Sequence, residues 1–149
     1  MVRRRHLKFA DADAVAAEVH RLRGGYERAG YWSLEQTCWH LNKAVYYSMQ
    51  PGPHDTARAG LVKRLQLKVI LATQRIPRGR RAPQRVMPPD QVEESVIDEL
   101  LRTLQALKTF PGPFAPHRIF GKIDDERFFR FHMIHCAHHF GFLIPAGRN

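Results

Sequence analysis

The chain of 149 residues contains no apolar run of about 18 residues, which excludes a membrane-spanning helix. It has only two cysteines, Cys38 and Cys136. Two are too few for a disulfide scaffold, and they lack the spacing of a four-cysteine zinc knuckle. It has no glycine-rich phosphate loop and no G-x-S-x-G elbow, and a Ser-His-Asp set cannot be assembled from the spacing. Internal repeats and low-complexity tracts are absent as well. Acidic residues are scarce, 14 against 24 Lys and Arg, which leaves a net charge of +10 with histidines neutral. The opening stretch, MVRRRHLKFADADAV, is basic, but acidic residues follow where a signal peptide needs an apolar core. A secretory leader is therefore not expected, and a cytoplasmic location is.

Hydrophobic residues make up 44% of the chain, enough to exclude global disorder and to fill one core. No linker is long enough to divide it, so residues 1–149 are read as a single domain. Gly24-Gly25, Pro51-Gly52-Pro53, Pro77-Arg78-Gly79 and Pro111-Gly112-Pro113 separate five segments. Each segment reads at a period of 3.6 and none at a period of 2, so an all-α protein without a sheet is expected. The first helix runs from about Asp11 to Arg23, with Val15, Val19 and Leu22 on one face. The second runs from Ser33 to about Met49, opened by a Ser33–Gln36 capping box and striped by Leu34, Cys38, Leu41 and Val45. The third spans about Ala57 to Gln74, with Leu61, Leu65, Val69 and Ala72 as its apolar stripe and basic residues on its other side. The fourth opens on Asp90 and Glu93, an acidic capping box, followed by Val96, Leu100, Leu104 and Leu107. The fifth opens at Asp124, carries Asp125 and Glu126 where the helix dipole favours them, and runs to about Leu143 before Pro145. A four-helix bundle follows, with a long crossover that carries the third helix.

The most unusual feature is nine histidines, four of them between positions 132 and 139. On a helix, Phe128, Phe131, His132, His135, His139 and Phe142 fall on one side, where Leu or Ile would be expected. A buried imidazole without a partner costs roughly 1–3 kcal/mol, so several on one stripe need a common explanation. His135 and His139, one turn apart, can point at one atom, the arrangement that recurs in zinc and related sites. Two ligands do not make a site, and the best third is His40, at the edge of the second helix's apolar stripe. Gln36 and Tyr47 are the candidate hydrogen-bond partners around it. The same histidines can also be packing residues or a solvated face. His132 reads first as a satisfied core histidine and His138 as a rim residue.

Trp32-Ser-Leu-Glu-Gln-Thr-Cys-Trp-His40-Leu, His117-Arg-Ile-Phe-Gly121 and His132-Met-Ile-His135-Cys-Ala-His138-His139 together resemble the DinB-like superfamily of four-helix-bundle metalloproteins. The likeness is to a branch with an H-P-x-F-G loop and an H-x-x-H-H helix. It spans nearly the whole chain and is weakest over about 50–88. It implies an up-down-down-up bundle holding one divalent ion, nickel or zinc foremost and iron or manganese besides, on His40, His135 and His139. It also implies chemistry such as low-molecular-weight-thiol S-transfer or thiol-dependent isomerisation. Two positions depart from the pattern: Arg118 stands where a proline is expected, and Phe142 where many relatives carry Gln. Neither removes a ligand.

The arginines at 3–5 and at 75, 78, 80, 81 and 85 read as a mobile tail and a solvated loop, because no aromatic interleaving or nucleic-acid module accompanies them. Their field can still draw an anionic small molecule. Cys38 and Cys136 read as structural; Trp32 and Trp39 either line a pocket mouth or pack. The expected partner is a small molecule, a thiol with an electrophile, rather than nucleic acid or membrane, and a homodimer is the assembly considered. Two functions compete: a metal-dependent enzyme, either thiol transferase or hydrolase, and a non-catalytic metal-binding or dimerising bundle.

Overall fold

The computed structural model describes residues 2–52, 59–79 and 82–147. Its helices are α1 (Ala12–Arg23), α2 (Leu34–Ser48), α3 (Leu61–Thr73), α4 (Ser95–Lys108) and α5 (Asp125–Phe140). A single 3-10 turn covers Gln84–Val86, and two short strands, β1 (Tyr26–Arg28) and β2 (Leu143–Pro145), complete the described elements. Ala57, Arg80 and Arg81 lie outside the described residues.

Local chemistry sets most helix starts. Asp11 accepts the amide of Ala14, and Asp124 accepts that of Arg127. At α2 both arms of the Ser33–Gln36 capping box are made. The acidic box expected at Asp90–Glu93 does not form. Helix α4 begins at Ser95, five residues beyond Asp90, after Glu94 in helical backbone geometry and with no side-chain cap, while the Gln36 side chain donates to the Pro89 and Asp90 carbonyls.

Helices α1, α2, α4 and α5 share one core. Val15, Val19, Leu22, Leu41, Val45 and Leu100 are wholly buried in it, as are Cys38 and Cys136. Burial pushes the Cys136 thiol up to about 12 and raises Cys38 further, so both stay protonated and act as small packing residues. Helix α3 packs on the phenylalanine-rich half of α5 in a second cluster, through Leu67, Ile70 and Leu71. The stripe expected to be its buried face is instead its outer one: Leu61, Leu65, Val69 and Ala72 are all exposed. The helix carries two apolar faces, and α5 covers one.

The last helix stops at Phe140 rather than continuing to Leu143, and the expectation of no sheet fails there. Pro145 restricts Ile144 to extended backbone. The segment then pairs antiparallel with β1 in the register Tyr26↔Pro145, Glu27↔Ile144, Arg28↔Leu143. Nor are the basic residues ahead of α1 a loose tail. The Arg5 guanidinium donates to the Leu143 and Phe140 carbonyls and pairs with Glu18, while its amide donates to the Gly141 carbonyl at 2.8 Å.

Candidate metal centre

Three helical turns bring the histidines together. His40 projects from the middle of α2, and His135 and His139 project from successive turns of α5. Their Nε2 atoms converge: His135 Nε2 lies 3.1 Å from that of His40 and 3.0 Å from that of His139. The ligand atoms of all three lie within 4.8 Å of one another, so this trio could hold a metal ion. Separations near 3 Å are those of ligands about 2.1 Å from one ion at roughly 95°.

The donor set suits a cation for a further reason. His40 Nδ1 lies 2.6 Å from the Val86 carbonyl and must donate to it, so the neutral ring presents a bare lone pair at Nε2. A single proton on His135 or His139 can bridge one of the two short contacts. The other is then left with two ring nitrogens face to face and no proton shared between them. A cation between the rings turns both into attraction. A carbonyl behind a ligating imidazole is the usual device for fixing tautomer and orientation. Burial lowers the pKa of His40, against a smaller opposing effect of the Val86 carbonyl. Burial first, then the neighbouring histidines, lowers His135 and His139 well below the ordinary value. All three are neutral at pH 7 and need lose no proton to ligate.

The surroundings differ from those expected. Among the described residues neither Gln36 nor Tyr47 hydrogen-bonds to His40. Gln36 is committed to the α2 cap, and Tyr47 lies under the Arg85 guanidinium at 3.8 Å. The Val86 carbonyl takes their place. Trp32 stacks on His139 with centroids 5.2 Å apart and lies tilted against His40 at 5.0 Å, so it walls the site. His40 is buried, while His135 and His139 are half-buried. His138 sits on the rim, as expected. Its Nδ1 is 3.0 Å from Arg4, whose guanidinium lies over Phe142 at 4.6 Å, with Arg78 over the same ring at 5.9 Å. Arg4 and Val86 escaped the sequence reading. A backbone carbonyl has no side-chain signature, and Arg4 is separated from His138 by most of the chain.

His132 stands apart from the trio. It is buried, donates from Nε2 to Ser48 Oγ at 2.8 Å, and leaves Nδ1 without a partner among the described residues. The expected core histidine is thus half satisfied. His117 closes the loop ahead of α5: its Nδ1 accepts the amides of Ile119 and Phe120, and its backbone bridges to Gly121. Gly121 has φ of 66°, a conformation that side chains with a Cβ rarely adopt. The turn closes with Arg118 at the position where the DinB-like resemblance leads one to expect a proline.

Comparison with protein families matches residues 1–146 to a model described as "Protein of unknown function (DUF1569)". No curated protein and no solved structure matches the chain.

Proposed function

The chain belongs to the DUF1569 family, and we propose that it is a metal-dependent enzyme of the DinB-like kind, acting on a small molecule at His40, His135 and His139. The observation that carries this reading is the convergence of three Nε2 atoms, with His40 locked in the ligating tautomer. The common core of α1, α2, α4 and α5 supports the up-down-down-up bundle that the resemblance implies. Nickel or zinc suits three neutral imidazoles best; iron and manganese are the other candidates. Such an ion, when held, lowers the pKa of a thiol or water toward neutrality and so supplies a nucleophile.

The chain's own residues do the rest. Trp32 shields one side of the cluster and offers an apolar face to a substrate. Arg4 and Arg78 flank Phe142 at the rim, where they draw and orient an anionic group. The favoured reaction is S-transfer or isomerisation with a low-molecular-weight thiol, since the thiol brings its own acidic proton. Hydrolysis is the other enzymatic form. A second reading, a non-catalytic metal-binding bundle or one that pairs with a second copy, is favoured by the trio's composition. It is all histidine, with no carboxylate to act as a general base.

Elemental analysis of protein purified without a polyhistidine tag, followed by a thiol-conjugation assay on the metal-loaded sample, tests the proposal. One equivalent of metal and thiol turnover that chelator abolishes are expected. One equivalent of metal with no turnover of any thiol or ester selects the non-catalytic reading. Absence of stoichiometric metal ends both metal readings.

A further inference from the structure

Helix α3 leaves an unusual face uncovered. Leu61, Val62, Leu65 and Val69 are 80, 69, 60 and 53% exposed. Scattered exposed aliphatics mean little, but at about 100° per residue these four fall within an arc of roughly 100° and form one ridge. The face that α5 covers carries Leu67, Ile70 and Leu71.

Cations border the ridge. On the same helical projection Lys68 points about 20° from Leu61, and Arg64 about 60°. Both also line a cleft of about 400 Å³ between α3 and the start of α5, whose far side carries Lys122, Arg127 and Arg130. The cleft holds one acid, Asp124, which caps α5 and pairs with Arg127 at 3.3 Å. Arg64, Lys68 and Lys122 make no ion pair among the described residues.

The occupant must therefore offer negative charge and an apolar layer together. A second copy seated antiparallel on the ridge would set Arg64 and Lys68 against their own counterparts, in a chain of net charge +10. A nucleic acid would meet the cations but leave four aliphatic side chains against water. An anionic lipid surface satisfies both. An apolar ridge flanked by Lys and Arg is the form of a helix that lies in the membrane interface. The absence of a spanning stretch, on which the expectation of no membrane partner rested, places no limit on such a helix.

We propose that α3 docks the protein onto an anionic lipid surface, with Leu61, Val62, Leu65 and Val69 entering the interfacial layer and Arg64, Lys68 and Lys122 meeting lipid phosphates. This docking is independent of the metal centre. Sedimentation with vesicles tests it, using phosphatidylcholine alone and phosphatidylcholine mixed with phosphatidylglycerol. The parent should pellet with the mixed vesicles and stay in solution with the zwitterionic ones.

Arg64→Ala with Lys68→Ala should lower partitioning about 30-fold, at about 1 kcal/mol per cation. Leu61→Ser with Leu65→Ser should lower it at least about 10-fold, since each exchange removes aliphatic surface from the lipid contact. All four positions are exposed, so circular dichroism should stay that of the parent. A Leu65→Trp variant should show blue-shifted emission on the mixed vesicles alone. Three results would each overturn the proposal. One is a parent that ignores the mixed vesicles. Another is binding that the serine variant retains in full. The last is a lipid-free dimer that the serine variant dissociates, which would make the ridge a contact between copies.

Discussion

Replacing His132 by Phe should remove one distinct contribution to the dependence of stability on pH. The ring lies in α5, stacked on Phe128 with centroids 4.8 Å apart and edge-on to Phe114 at 5.7 Å. The Ser48 hydroxyl spends its proton on the Val45 carbonyl at 2.6 Å and so must accept from His132 Nε2. Nothing among the described residues is placed to receive a proton from Nδ1. Burial, reinforced by the field of His117, lowers the His132 pKa from 6.5 to about 3. The unfolded chain therefore takes up this proton more readily than the folded one. The resulting loss of stability is absent above about pH 7. It begins as pH falls through the unfolded value and levels off only near pH 3. At about 1.4 kcal/mol per pH unit, His132 removes about 2.7 kcal/mol by pH 4.5 and about 4.8 kcal/mol across the whole window. Phe keeps an aromatic ring without a titrating group but is bulkier than His, so it should cost about 1–3 kcal/mol, equally at every pH. Urea unfolding of parent and His132→Phe from pH 7.5 to 4.5, in chelator so that ligation does not contribute, measures the difference. The two curves should diverge by about 1.4 kcal/mol per pH unit below pH 6. Parallel curves would refute the burial argument for this ring.

Further outcomes follow from the same geometry. His139→Ala should weaken metal binding about 10²–10³-fold, taking about 10–16 kcal/mol as shared among four ligands. Calorimetric titration reads the affinity, and circular dichroism should show the fold kept, because the core of α1, α2, α4 and α5 does not depend on this ring. Trp32→Phe should abolish most of the fluorescence quenching that nickel or cobalt causes, since Trp32 stacks on His139 while Trp39 packs against the core. Equal quenching in the variant would place the ion elsewhere. Gly121→Ala should destabilise by about 1–2 kcal/mol, seen as a lower urea midpoint, because φ of 66° crowds a Cβ.

The elements legible in the sequence were those whose signals are local. The stripe Leu34, Cys38, Leu41 and Val45 and the Ser33–Gln36 box give α2 almost to the residue. His135 and His139 announce their shared direction through spacing alone, whereas His40 joins them only through the way α2 meets α5. Periodicity failed where a segment had two apolar faces. For α3 it picked the stripe of Leu61, Leu65 and Val69, and the phenylalanines of α5 took the opposite one. The end of α5 was overread because Phe142 and Leu143 continue the helical spacing, while the pairing of β2 with β1 is a contact across most of the chain. The capping-box spacing of Asp90 and Glu93 places the start of α4 too early, since the helix begins only at Ser95.

The clasp of Arg5 and β1 on the end of α5 bears on how the protein is made. A ribosome releases residues 4–5 and 26–28 well before residues 140–145, their partners across 138 positions of sequence in the case of Arg5 and Leu143. Until then Arg5 has Glu18 as an early partner, but β1 has no neighbouring strand and Tyr26 can only reach the amide of Leu34. His40 likewise waits on α2 with its lone pair directed at nothing. Contacts of such long sequence separation form slowly. Arrival of the final turn of α5 therefore closes the strand pair, the arginine clasp and the imidazole trio in a single late event. On the proposed metal reading, the three rings can ligate one ion together only after the last turns of α5 have been made.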